Sequence, residues 1–223
     1  MNTVRILEVK QSVFANNDAQ AEKLRQELKA KGIYLLNLMS SPGSGKTTTL
    51  TRLIVALNDD LKIGVMEADI DSDVDAKTIA TTGAKAIQLH TGGMCHLDAA
   101  MTRQGLEGLD SQDADLVILE NVGNLVCPAE FDTGAVANMA ILSVPEGHDK
   151  PLEYPLMFQV CDTVLINKID VAPYFDFDFE KCREYIHMRN PNAKIFPICA
   201  KTGEGVDAVA AFLKEEVAKW KGV

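Results

Sequence analysis

Seven short, nearly continuous apolar runs punctuate the chain, at residues 33–39, 62–66, 86–90, 115–119, 137–144, 163–166 and 195–199. Longer mixed segments with apolar residues at helical spacing lie between most of them. Runs this short and this uniformly apolar fit strands buried on both faces. Their alternation with helices predicts a parallel sheet covered on each side. Ahead of the first run, residues 17–31 are charged, but Leu24 and Leu28 stand four apart and share one side of a helix, which Gly32 ends. The expected fold is α/β: a mostly parallel central sheet of about seven strands, flanked by helices on both faces, with an N-terminal helix at about 17–31. In such sheets ligands bind beyond the carboxyl ends of the strands. Chemistry is therefore expected just after the runs.

Composition narrows the setting. No internal repeat, low-complexity tract or Pro/Gly-rich linker divides the 223 residues, which fit a single domain over 1–223. The formal net charge of −10 argues against nucleic acid and anionic membrane as partners, because both need a basic surface. No apolar run is long enough to span a bilayer, and residues 1–12 lack the basic-then-apolar pattern of a signal peptide. The expected location is cytoplasmic. Disulfides are rare there, so the five cysteines are expected to be core residues, metal ligands or catalytic groups.

The first run leads into Ser40-Ser41-Pro42-Gly43-Ser44-Gly45-Lys46-Thr47, which opens a helix. Gly43 and Gly45 let the backbone curl so that N–H groups converge on phosphate oxygens, and the helix N-terminus adds positive potential. Lys46 would hold the β- and γ-phosphates and Thr47 would offer its hydroxyl to Mg²⁺, while Ser44 and Thr48 complete the cradle. This is the signature of a P-loop NTPase, with Ser40 in place of the usual first glycine.

A later run ends at Asn167-Lys168-Ile169-Asp170. A carboxylate at Asp170 matches the adjacent N–H donors of guanine, whereas adenine presents an acceptor there. Asn167 would brace the loops, and the Lys168 stem would cover one face of the base. Cys199-Ala200-Lys201, at the end of the last run, resembles the base-contacting Ser-Ala-Lys loop of GTPases, which adds Ala200 and Lys201 to the base site. The nucleotide is therefore GTP or GDP. Glu120-Asn121-Val122-Gly123 stands where GTPases carry Asp-x-x-Gly, so Gly123 is the candidate γ-phosphate sensor and Glu120 a candidate for Mg²⁺. Asp69, after the second run, is the other magnesium candidate; Asp71, Asp73 and Asp75 follow it with roles left open. No water-positioning glutamine stands out, which predicts slow intrinsic turnover.

Cys95 and His96 follow Gly92-Gly93 at the start of an expected helix, whose N-terminus would lower a thiol pKa. Cys127 lies four residues beyond Gly123. Thiolate and imidazole suit Zn²⁺ or Ni²⁺, but the spacing is no zinc-finger pattern, and unrelated residues would look the same. The apolar stretch Val171, Tyr174, Phe175, Phe177 and Phe179 reads equally as packed core or as an interface patch.

Taken together, residues 40–47, Glu67-Ala68-Asp69, Thr91-Gly92-Gly93-Met94-Cys95-His96-Leu97-Asp98-Ala99, Glu120-Asn121-Val122-Gly123-Asn124-Leu125-Val126-Cys127-Pro128 and residues 167–170 resemble the hydrogenase nickel-incorporation GTPases, the HypB hydrogenase maturation factor family. The likeness runs from about residue 21 to 219, and the Cys-His-Leu-Asp-Ala run separates it from the urease accessory GTPase, which has Cys-Pro-His. The resemblance implies a GTP-hydrolysing metallochaperone that helps deliver nickel to nickel–iron hydrogenase precursors. It implies a Ni²⁺ or Zn²⁺ site from Cys95, His96 and Cys127 at the interface of a GTP-favoured homodimer. Its partners would be the hydrogenase large-subunit precursor and other maturation factors. The Cys-rich or His-rich N-terminal nickel motif of some members is absent before Ile33, so only the switch-linked site is expected. Two other functions fit parts of the pattern: a P-loop enzyme phosphorylating a small substrate, which the guanine motif disfavours, and a metal buffer whose GTP site is unrelated to its metal.

Overall fold

The computed structural model describes residues 3–69, 79, 82–91, 93–109 and 111–223; for residues 3–15 and 69 only the backbone is described. Seven parallel strands form one sheet: β1 (Tyr34–Ser40), β2 (Ile63–Asp69), β3 (Lys85–His90), β4 (Leu116–Glu120), β5 (Ala137–Ser143), β6 (Thr163–Asn167) and β7 (Lys194–Pro197). Their spatial order is β3-β2-β4-β1-β5-β6-β7. Every residue of β1, β4 and β6 is buried, as continuous apolar runs in a doubly covered sheet require. The edge strands β3 and β7 are only half-buried.

Side-chain alternation divides β1 between two layers. Leu36 and Leu38 face the core beneath α2 (Lys46–Leu57) and the C-terminal helix Val206–Lys221. Leu35 and Met39 face the opposite layer, covered by α1 (Thr3–Lys31), the helix Ala99–Leu109 and the helix Phe179–Arg189. All seven expected strands and the two-faced helical cover are present, and the sheet is wholly parallel. Among the described residues no helix is long and apolar enough to cross a membrane.

The first helix departs from expectation by starting at Thr3 rather than near residue 17. No proline or glycine interrupts the chain before Gly32, so the segment holds no helix breaker. Arg25 ties α1 to the body through a two-pronged contact with Asp132, at 2.9 and 2.7 Å. Burial alone would raise the Asp132 carboxyl, but the Arg25 hydrogen bond, the Gly134 N–H and the Arg25 charge bring it below the usual carboxylate range. At the chain's other end Trp220 donates Nε1–H to the carbonyl of Ile33 at 2.9 Å, joining the last helix to the start of the sheet.

Candidate functional site

Three loops meet at the carboxyl end of the sheet, from the adjacent strands β4 and β1 and from β6, two places beyond β1. β1 delivers residues 40–47, β4 delivers Glu120 to Gly123, and β6 delivers Asn167 to Asp170. The phosphate cleft is lined by Pro42, Gly43, Gly45, Lys46, Thr47, Thr48, Glu67, Glu120 and Gly123, among others. Gly45 has φ 98°, and a Cβ there would lie 2.5 Å from Asn167 Nδ2, so glycine is required both for the turn and for the close approach. Lys46 Nζ lies 3.3 Å from the point where a Gly123 Cβ would stand, so the ammonium and Gly123 face the same space. Asp69 ends β2 in register with His90, beside this cleft; its side chain, Gly92 and the trio Asp71, Asp73 and Asp75 lie outside the described residues.

The base pocket is lined by Gly45, Thr48, Asn167, Lys168, Asp170, Val171, Cys199, Ala200 and Lys201. Asn167, 2% exposed, is its brace. Its Nδ2 donates to the Ser44 carbonyl at 2.9 Å and its Oδ1 accepts the Ala200 N–H at 3.0 Å. One side chain thus locks the phosphate loop to the loop after β7. Lys168, with φ 63°, is the one non-glycine at positive φ among the described residues. That strained conformation is held because Nζ donates to the Gly43 carbonyl at 2.7 Å. Arg52 adds a third tie, donating to the carbonyls of Ala200 and Lys201 at 3.2 and 3.0 Å. β7 stops at Pro197 rather than at Cys199: proline cannot donate to the ladder, and Cys199 pairs instead across a tight turn with Glu204.

The sulfur residues are partly united. Cys127 opens a single helical turn, Cys127–Glu130, and its sulfur accepts from Asn124 Nδ2 at 3.9 Å. The neighbouring Cys95 thiol, then burial, push the Cys127 thiol above the usual range. The His96 ring stacks on Phe131 with centroids 3.7 Å apart and planes 10° from parallel, and its Nδ1 is within hydrogen-bond reach of Cys95 Sγ at 4.0 Å. Burial pushes the imidazole down, against the pull of Asp98 and Glu130. Among the described residues no group of three His, Cys, Asp or Glu side chains is arranged to hold a metal ion. A single chain therefore brings Cys95 and His96 into contact, with Cys127 nearby, without closing them around an ion. The expected helix also begins later than Cys95: it starts at Ala99, with Asp98 accepting the Met101 N–H at 2.9 Å. Its dipole acts on Asp98 rather than on the thiol.

The aromatic stretch divides. Val171, Phe177 and Phe179 pack against the core around Met39 and Phe158, while Tyr174 and Phe175 are 83% and 46% exposed. Sequence reading assigned no role to two carboxylates. Glu67, 2% exposed, stands in register with Glu120 on the floor of the phosphate cleft, and the signal was a charged residue inside a buried strand. Glu146 receives the Ser143 N–H and hydroxyl at 2.7 and 2.6 Å and the hydroxyl of Ser41 in the phosphate loop. Ser143-Val144-Pro145-Glu146 carries the local signal of a capping box, but the contact with Ser41 spans 105 positions of chain and has no local signal.

Known proteins place this geometry. Residues 34–197 match the family described as CobW/HypB/UreG, nucleotide-binding domain. The hydrogenase maturation factor HypB of Escherichia coli (strain K12) is 46% identical over 207 residues, covering 93% of this chain and 71% of that protein. The corresponding factor of Azotobacter chroococcum is 44% identical over 212 residues, covering 95% and 70%. The crystal structure of HypB from Helicobacter pylori in complex with nickel superimposes with a TM-score of 0.86 at 39% identity, covering 92% of this chain and 96% of that one. With a guanine-braced P-loop and likeness over nearly its whole length, this chain belongs to the CobW/HypB/UreG family, as a GTP-hydrolysing member of the HypB hydrogenase maturation factors.

Proposed function

We propose that this protein, as a single domain over 1–223, acts in the cytoplasm as a nickel metallochaperone for nickel–iron hydrogenase precursors, with GTP hydrolysis controlling a metal site shared between two subunits. The observation that carries the reading is the position of Cys127. Its thiol is near enough to Cys95 for that residue to influence its ionisation, and its segment begins at the phosphate cleft with Glu120 and Gly123. All five cysteines are free. The nickel complex of the Helicobacter pylori relative supports nickel as the cargo.

The residues that would hold Mg²⁺ are Thr47, Glu120 and Asp69. Oxygen donors at the mouth of a phosphate loop suit a hard cation, and the ion supplies charge neutralisation at the transferring phosphoryl group. Lys46 and the loop N–H groups bind the phosphates. Asn167, Lys168, Asp170, Ala200 and Lys201 select guanine. The Gly123 N–H donates to the γ-phosphate and so orders the segment that carries Cys127. Hydrolysis removes that acceptor, frees the segment and alters the distance between Cys127 and Cys95. Cys95, His96 and Cys127 of one chain leave a metal short of ligands, so a second copy completes the sphere, with sulfur and imidazole donors available to a square-planar Ni²⁺ or a tetrahedral Zn²⁺. Exposed Tyr174 and Phe175 offer apolar surface for that pairing.

The test is titration of Ni²⁺ and Zn²⁺ into the GDP-bound and GTP-analogue-bound protein, with sedimentation recorded for both. Affinities should differ by about 5–150-fold between the nucleotide states, the range typical of allosteric coupling. Cys127→Ala should weaken metal binding and erase the difference. Equal affinities in both states would make the protein a metal buffer and defeat the release mechanism.

A further inference from the structure

A polar chain crosses the sheet where apolar side chains would otherwise pack. Asn37 lies in the middle of β1, 2% exposed, with Leu36 and Leu38 on either side. It pairs in register with Asn138 on β5, and Asn121, fully buried, follows the end of β4. Asn121 Nδ2 donates to Asn37 Oδ1 at 3.1 Å. Asn37 Nδ2 donates to Asn138 Oδ1 at 2.9 Å, and Asn138 Nδ2 donates to the Val160 carbonyl at 3.1 Å. At the other end, Asn121 Oδ1 accepts the Val122 N–H at 2.9 Å. Every amide in the series uses both its oxygen and its nitrogen.

Asparagine is disfavoured in strands, and buried polar groups cost stability unless each is paired. A fully satisfied network gives in return one fixed geometry. What this one fixes is the backbone at Val122, between Glu120 and Gly123. Its far end grips the last residue of the helical turn Pro155–Val160, which packs against the turn Cys127–Glu130. The segment from residue 121 to 130 is thereby held to the sheet at both ends by one series of side chains. None of the three asparagines lines the phosphate cleft or the base pocket.

We infer that Asn121, Asn37 and Asn138 are positioning residues that set the γ-phosphate-sensing segment, an inference that rests on the reading of Glu120 to Gly123 as that sensor. Asn37 and Asn138 act at a distance: they hold Asn121, and Asn121 holds the main chain that must present the Gly123 N–H.

The test measures GDP affinity, GTP-analogue affinity and kcat for Asn37→Ala, Asn121→Ala, the pair, Asn138→Ala and Gly123→Ala. Loss of one link should lower the GTP-over-GDP preference and kcat about tenfold, the worth of one hydrogen bond. GDP affinity should stay within about twofold. The pair should be no worse than Asn121→Ala alone, because Asn37 acts on the segment only through Asn121. Asn138 is half-buried, so its variant folds most readily and should shift the preference in the same direction, by less. Folded Asn37→Ala or Asn138→Ala protein with parental preference and turnover overturns the inference, and so does an equal loss of GDP and GTP affinity. Gly123→Ala separates the two claims. A shift there with none in the asparagine variants overturns the relay; the converse keeps the relay and moves the sensing contact elsewhere on the segment.

Discussion

Replacing Asn167 with alanine should cost affinity for GDP and GTP alike. The side chain makes two good hydrogen bonds, to the Ser44 carbonyl at 2.9 Å and from the Ala200 N–H at 3.0 Å, and a long contact to Thr49 Oγ1 at 3.5 Å that counts for little. Ser44 is 1% exposed and Ala200 2%, so water does not readily replace the lost partner. A buried donor or acceptor left without a partner costs about 1–3 kcal/mol, so the two together cost at least about 2 kcal/mol. If that energy holds the phosphate and base loops in their binding geometry, affinity falls about 30-fold, at 1.4 kcal/mol per decade. Neither bond involves the γ-phosphate, so the GTP-to-GDP ratio should not change. Titration with fluorescent GDP and GTP analogues reads the affinities, and urea denaturation of the nucleotide-free protein reads the share that appears as stability. Asn167→Asp keeps the acceptor for Ala200 and loses the donor to Ser44, so it should fall between. Parental affinity for both nucleotides in a folded Asn167→Ala protein would refute the bracing role. A selective loss of GTP alone would place the residue in γ-phosphate sensing instead.

Asp170→Ala should remove the partner of the guanine donors and lower discrimination against ATP by roughly 10⁴-fold in competition binding; retained guanine specificity would exclude Asp170 as the selector. Lys46→Ala and Thr47→Ala should abolish phosphate release while circular dichroism shows an intact fold, and residual turnover near the parental rate would remove them from the machinery. Replacing Tyr174 and Phe175 together with alanine should oppose GTP-analogue-dependent dimerisation in sedimentation, since burying a large apolar side chain contributes about 1.5–3 kcal/mol; an unchanged profile would clear the patch of that role. The Arg25–Asp132 pair predicts a pH signature. A carboxyl held below its unfolded value contributes stability that is complete above about pH 4 and is lost as pH falls through the folded pKa. Arg25→Ala should therefore be less stable than the parent by about 1 kcal/mol at neutral pH, with the two urea curves converging in acid. A gap that persists at pH 2 would trace the loss to packing rather than charge.

Sequence alone determined the sheet and the identity of the ligand. Seven apolar runs named seven strands because a strand buried on both faces admits almost nothing else, and each was found in place. The loops carrying Gly45, Lys46 and Asp170 were legible because phosphate and guanine motifs depend on residue type at fixed local spacing, and the fold brings them to one end of the sheet. Boundaries followed local rules less closely. The first helix ran back to Thr3 because nothing in the segment breaks it, and β7 stopped at Pro197. What only the tertiary structure decided was pairing at long range. Asn167 meets Ser44 across 123 positions of chain, and Asn121 meets Asn37 across 84. No periodicity encodes such meetings; strand order does, by placing β4, β1 and β5 side by side and β6 one strand farther on. The same order set Cys95 near Cys127 and left His96 stacked on Phe131, and it turned Val171 inward while Tyr174 and Phe175 face solvent. Local residue chemistry tells which groups can act, but the distances between them are set by a global packing minimum to which every strand contributes.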